Sequence, residues 1–135
     1  MKVNGVKVFP FTFLPFTFKL KDMIRRFEDI ISWQKSRLLV VDIYKLFENS
    51  NDFGFKNQIQ RASVSVMNNI AEGFERKTNN EFRQFLFIAK GSVGEVRSML
   101  YLAKDLDKIS EENFKILYDK TLEISKLLSG LIKTL

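Results

Sequence analysis

Among its 135 residues the chain has no cysteine and no histidine. Those two absences remove disulfides, cysteine nucleophiles, Ser-His-Asp triads and every zinc site built on Cys or His. Carboxylate-only hydrolysis and Mg²⁺-dependent chemistry survive, and little else does. No stretch reaches the roughly 20 apolar residues needed to span a bilayer. Lack of cysteine fits a reducing compartment, so the cytoplasm is the expected location. What is present is ordinary for a globular chain: 45% apolar residues and 28% charged. At 15.8 kDa one domain can bury a core without metal or disulfide staples.

The formal charge of +6 invites a nucleic-acid reading, so its placement matters. Lys2, Lys7, Lys19 and Lys21 stand against Asp22, which puts half of the excess into residues 1–22. That leader also holds five of the 14 phenylalanines and both prolines, Pro10 and Pro15. Alternation over residues 6–18 is strand-like, but both faces are apolar and proline cannot donate to a ladder. A signal peptide would need an unbroken apolar run and a small-residue cleavage site, and neither is present. Residues 1–22 therefore read as an N-terminal extension outside the fold, with Met23 a candidate start, and residues 23–135 as the domain.

From Met23 onward the period is helical. A first helix is expected over about residues 29–48, ending in the turn-rich Asn49-Ser50-Asn51-Asp52-Phe53-Gly54. Its middle, Leu38-Leu39-Val40-Val41, is apolar around most of the circumference, which predicts burial on more than one side. A second helix over about 55–74 carries Ile59, Ala62, Val66, Ile70 and Gly73 at three- and four-residue steps. The third opens with a capping box, Thr78-Asn79-Asn80-Glu81. Its core face reads Phe82, Phe85 or Leu86, Ala89, Val93, Val96, Leu100 and Ala103. The fourth opens at Ser110, with Ile109 and Phe114 placed as a hydrophobic staple. Phe114, Leu117, Thr121, Ile124, Leu128, Leu131 and Leu135 then keep a coiled-coil-like seam. Four long helices with short connections predict an all-α, up-down-up-down antiparallel four-helix bundle.

Several stretches carry a family resemblance together. Phe27-Glu28-Asp29-Ile30-Ile31-Ser32-Trp33-Gln34-Lys35 resembles the F-x-D-L-x-x-W-Q-K opening of a bacterial four-helix-bundle family, encoded by intervening sequences in large-subunit ribosomal RNA genes. Arg61-Ala62 and Ser65-Val66-Met67-Asn68-Asn69-Ile70-Ala71-Glu72-Gly73 are similar to its R-A-x-x-S-I-P-x-N-I-A-E-G signature. Residues 81–92 match its E-F-x-x-F-L-x-I-A-[RK]-G-S block. Met67 departs from the pattern, standing where the family has proline, whose ring would kink the helix. Relatives of that family include the accessory protein of diversity-generating retroelements, a positively charged homopentamer that binds nucleic acid and a reverse transcriptase. The resemblance implies a non-enzymatic homo-oligomer, a pentamer, with RNA or DNA and a reverse transcriptase as partners. No cofactor, no metal and no membrane are expected.

Catalytic patterns are thin. Ser32-Trp33-Gln34-Lys35 matches S-x-x-K without the companion motifs of that enzyme class. Gly91-Ser92-Val93-Gly94 falls inside a helix, where small residues more readily admit another helix. Trp33, Arg61, Asn69, Glu72 and Gly73 stand out within the signature stretches. Asn69 and Glu72 lie three apart on one helical face and suit either a partner or buried hydrogen bonds between helices. Gly73 suits close backbone contact.

The third helix holds the most informative pattern. Arg83, Lys90, Arg97 and Lys104 recur every seven residues, drifting only about 20° per step. Phe87, Gly94 and Tyr101 fall between them, so the line interleaves cations with two aromatics. Only Lys104 has a carboxylate at i±3 or i±4, namely Asp107. Negative charge is therefore expected from outside the helix. Phosphates are one source, with Arg83, Lys90, Arg97, Lys104, Phe87 and Tyr101 as nucleic-acid-binding residues. Acidic side chains of a neighbouring helix or subunit, such as Asp42, Glu48 or Glu123, are the other. From the pattern alone the two stand level, and the resemblance favours nucleic acid.

Overall fold

The computed structural model describes Lys2–Val3 and Val6–Lys7 by their backbone, and residues 23–135 throughout. Lys2–Val3 (β1) and Val6–Lys7 (β2) form a two-stranded antiparallel pair, with Lys2 opposite Lys7. Apart from that pair, the expected extension over residues 1–22 lies outside the described residues. A 3-10 turn at Phe27–Asp29 leads into four helices: α1 (Ile31–Phe47), α2 (Phe53–Phe74), α3 (Asn79–Asp105) and α4 (Glu111–Lys133). Consecutive helices pack on one another and α4 returns to α1, with α2 against α3 the most extensive seam. The architecture is the all-α, up-down-up-down antiparallel four-helix bundle that the periodicity predicts.

Local chemistry sets the helix ends. Asp52 accepts from the Phe55 amide at 3.1 Å and starts α2 two residues earlier than its apolar period implies. Thr78 and Glu81 satisfy each other's backbone N–H groups in the capping box of α3. Ser110 accepts from the Asn113 amide at α4, with Ile109 and Phe114 buried beside it. α1 has no side-chain cap. Its first turn is instead tied back by Gln34 Nε2, which donates to the Glu28 carbonyl at 2.8 Å.

Each helix gives one stripe to a common core. Leu39, Ile43 and Phe47 from α1 meet Ile59, Val66 and Ile70 from α2; Phe82, Leu86, Val93 and Leu100 come from α3, and Leu117, Ile124 and Leu128 from α4. Full burial of such a side chain is worth about 1.5–3 kcal/mol, so these stripes dominate the stability. A single chain buries one side of this apolar segment of α1. Within one chain Leu39 is buried, but Leu38 is 62% exposed and Val41 43%. A bundle absorbs a single stripe per helix, and the other side of an all-round apolar segment is left facing outward.

The seam between α2 and α3 is unusually close at one point. A Cβ built on Gly73 would lie 2.5 Å from Phe85 Cβ and 3.0 Å from a Phe82 ring carbon. Further along the seam, the Ser65 and Ser92 hydroxyls meet at 2.8 Å. Asn69 Nδ2 donates to Ser65 Oγ and to the Ser65 carbonyl, so it steadies that bridge from within α2. Glu72 takes no part. It is exposed and paired with Arg76 on the next turn at 2.8 Å, so its expected burial between helices is corrected. Gly91 and Gly94 admit no helix of this chain either, since a Cβ at each would meet nothing within 4 Å. α2 runs without a break through Met67.

Two outcomes are expected from this packing. Gly73→Ala should destabilise the fold by about 1–3 kcal/mol, the range for overpacking, and lower the melting temperature accordingly. The Phe55 amide, and then the Lys108 ammonium, hold the Asp52 carboxyl below its ordinary range. A depressed carboxyl stabilises the fold above its unfolded pKa and ceases to do so as pH falls through its folded one. Chemical denaturation between about pH 5 and pH 2 should therefore show the advantage of the native protein over Asp52→Asn shrinking as pH falls below about 4.

Candidate nucleic-acid interface

The flank of α3 that carries the seven-residue line is fixed by its two ends. Arg83 donates through Nη2 to the Leu135 carbonyl, just past α4, and through Nη1 to Asn80 Oδ1 at 2.9 Å. Lys104 lies 4.4 Å from the Phe114 ring centroid and 3.9 Å from Glu111, both in the first turn of α4. Lys90 and Arg97, on the same line, therefore sit on the α4 side of α3. All four are half-buried. Burial of their stems with the charged heads at the rim is the usual arrangement for long cationic side chains.

The middle of the line differs from its ends. Neither Lys90 nor Arg97 makes a hydrogen bond or ion pair with any described residue. The acids that might have neutralised them are engaged elsewhere or lie apart. Asp42 pairs with Lys120 at 2.5 Å and Glu123 with Lys35 at 2.9 Å, both across the α1–α4 seam. Glu48 ends α1 and offers only its carbonyl, to Lys56 at 3.0 Å.

The two aromatics also differ. Phe87 is 53% exposed. Tyr101 is committed to α4, its ring 5.0 Å from that of Phe114 and 5.7 Å from that of Tyr118. A hydrogen bond with Tyr118, followed by burial, raises its phenol above the ordinary value, and the nearby Arg97 charge opposes that slightly. Tyr101 thus packs one side of its ring on α4 and, at 46% exposure, leaves the rest open.

The signature residues gather elsewhere. Trp33 packs edge-on to Phe27 at 5.1 Å, with Arg37 over its ring. Arg61 is exposed on the outer edge of a groove of about 560 Å³ between α2 and α3, which Ser65, Ser92 and Glu95 also line. Asn69 and Gly73 lie on that same α2–α3 seam. The signature and the cationic line are therefore on opposite flanks of α3. Ser32 is buried with no partner for its hydroxyl among the described residues, while Lys35 points to Glu123. That separates the two members of S-x-x-K. Sequence reading passed over Lys126 and Lys133 of α4, which are exposed and also without a partner among the described residues. Their signal was the same interval of seven.

The architecture defines the class: a four-helix-bundle protein, with a cationic line along one flank of α3. The chain belongs to a named family of such bundles, described as the 23S rRNA-intervening sequence protein family, which its residues 28–130 match. A solved structure from Bacteroides thetaiotaomicron, a protein of unknown function from the S23 ribosomal protein family, superimposes with a TM-score of 0.73 at 30% identity. The match covers 77% of this chain and 96% of that one. No curated protein matches the chain. Among the described residues no helix is long and apolar enough to cross a membrane.

The contrast between paired and unpaired members of the line can be measured as stability. Arg83→Met removes a charge-assisted hydrogen bond that ties the end of α4 to α3 and should cost about 1 kcal/mol. Arg97→Met removes no such bond and should stay within about 0.5 kcal/mol of the native protein. Thermal or urea unfolding of the two variants side by side checks the order.

Proposed function

We propose that this protein is a non-catalytic, cytoplasmic, oligomeric scaffold that binds the phosphate backbone of nucleic acid along the α3 flank facing α4. The observation that carries the reading is the pair Lys90 and Arg97, half-buried in mid-helix with no anionic partner among the described residues. Arg83 and Lys104 extend the line, and Phe87 offers an exposed ring beside it. Uncompensated cations in a row attract a polyanion and carry little sequence preference, because phosphates are alike at every base. Resemblance to the retroelement accessory protein supports a homopentamer and a reverse transcriptase as the protein partner.

A second reading has its own observation. Leu38, Val41 and Tyr44 leave an apolar ridge exposed on α1, as a subunit interface would. On that reading the protein is a structural oligomer or interaction module, and the cationic line meets acids of another copy.

Binding of a mixed-sequence single-stranded RNA by fluorescence anisotropy, across a salt series, separates the two. Because Arg83 helps hold α4, the reversal is best made at Lys90→Glu with Arg97→Glu. The double variant should bind at least tenfold more weakly. Its log–log salt slope should fall by roughly 1.4, at about 0.7 for each single-strand phosphate that is no longer neutralised. Light scattering shows whether it keeps its assembly. Dissociation into smaller species would favour the interface reading. Unchanged binding by an intact assembly would overturn the nucleic-acid reading.

A further inference from the structure

The flank of α3 away from the cationic line borders the groove of about 560 Å³ between α2 and α3. Both members of the Ser65–Ser92 bridge line it, and that bridge fixes which residues face each other across the seam. Arg61 stands four residues before Ser65 on α2, and Glu95 three residues after Ser92 on α3. In antiparallel helices these two steps run the same way along the axis, so Arg61 and Glu95 come opposite each other on the groove they both line. They form no ion pair, and neither has a hydrogen-bond or ionic partner among the described residues. Helix geometry supplies the reason. Each Cα–Cβ bond tilts toward the N-terminus of its own helix. Across an antiparallel seam the tilts are opposed, so Arg61 leans toward the Asn57–Gln58 turn of α2 and Glu95 toward the Ser92 turn of α3. The two charges diverge along the groove instead of closing it.

The groups between them are hydrogen-bonding ones. Asn57 and Gln58 bring two side-chain amides, able to donate and to accept, and neither is engaged with a described residue. Ser65 and Ser92 share one hydrogen bond between two hydroxyls, while Asn69 donates to Ser65. One hydroxyl proton is therefore left over for another acceptor. No aromatic ring lines the groove, and Ala62 gives its only apolar side chain. A nucleotide base would find no stacking surface there, and Glu95 would repel its phosphates. A folded partner would find none of the buried apolar anchors that dominate protein interfaces. A small ligand that carries both charges, with hydrogen-bonding groups between them, complements what the groove presents.

We infer that this groove binds a short peptide with both termini free, its carboxylate on Arg61 and its ammonium on Glu95. The backbone amides of the peptide exchange hydrogen bonds with Asn57, Gln58 and the remaining serine hydroxyl. Packed helices lie about 8–10 Å apart. An extended tripeptide spans roughly 10 Å, so its termini reach both rims where those of a single amino acid cannot. The inference does not rest on the nucleic-acid reading, since the groove and the cationic line occupy opposite flanks of α3.

The probe is triglycine, added to the isotope-labelled full chain and followed by backbone amide shifts. N-acetyltriglycine and triglycine amide each remove one terminal charge. Saturable shifts are expected at Gln58, Ser65 and Ser92, and each blocked peptide should bind about threefold more weakly, the scale of a partly exposed charge contact. Glu95→Gln should weaken triglycine by the same factor and leave N-acetyltriglycine unchanged. Arg61→Gln should weaken triglycine and leave triglycine amide unchanged. Both side chains are exposed, so both variants should keep the native melting temperature. Absence of any saturable shift overturns the inference. If Glu95→Gln weakens the free and acetylated peptides alike, the ammonium does not sit on Glu95 and the inference fails as well. Neither result touches the cationic line, whose own test is the binding of RNA.

Discussion

The missing side chain of Gly73 governs the bundle. Nothing larger fits between α2 and the Phe82–Phe85 turn of α3 without moving backbone, so this close approach fixes how far the two helices slide along each other. The turn that follows is short because the capping box at Thr78 starts α3 four residues after α2 ends. Once that register is set, Ser65 must meet Ser92 two turns further along the seam. Rigid helices carry the same register to the far flank of α3. The side of α3 opposite the glycine is then the side that α4 must cover, and the cationic line lies on its edge.

Much of this was legible because it is local. Caps at Thr78 and Ser110 need only residues within three positions, and both helices begin where those side chains say, whereas the Asp52 cap went unread and α2 begins two residues before the expected start. Core stripes were legible because period alone separates inside from outside on α2, α3 and α4. Where three dimensions decide, the sequence was silent or misleading. Leu38 and Val41 look as buried as Leu39 until the single core stripe is known. Glu72 stands among signature residues, yet Arg76 one turn on satisfies it at the surface.

The candidate site divides in the same way. Its line along α3 follows from the interval of seven and could be drawn without a structure. That its ends differ from its middle could not. Arg83 finds the Leu135 carbonyl 52 residues away, and no pattern within α3 announces it. Tyr101 reads as a free ring in the sequence because Phe114 and Tyr118 belong to another helix.

Helix dipoles account for some of these charges and not for others. Lys133 lies in the last turn of α4 and Lys104 in the last turn of α3, where the partial negative charge of the carbonyls welcomes a cation. Glu111 and Glu112 in the first turn of α4 are the mirror case. Lys90, Arg97 and Lys126 are all more than a turn from any helix end, beyond the reach of that effect. Along the α4-facing edge of α3 the neighbours of Lys90 and Arg97 are cationic or neutral, so these two repel each other in the free protein. Each such repulsion is modest in water, about 1 kcal/mol even for charges as close as 4 Å, and weaker at wider spacing. On the proposed reading, a bound strand of phosphates would turn the Lys90–Arg97 pair from mutually repulsive to attractive. That change of sign is available only where acids are absent, and on α3 they are absent from this edge: Glu81 is held in the cap and Glu95 lines the groove on the α2 side.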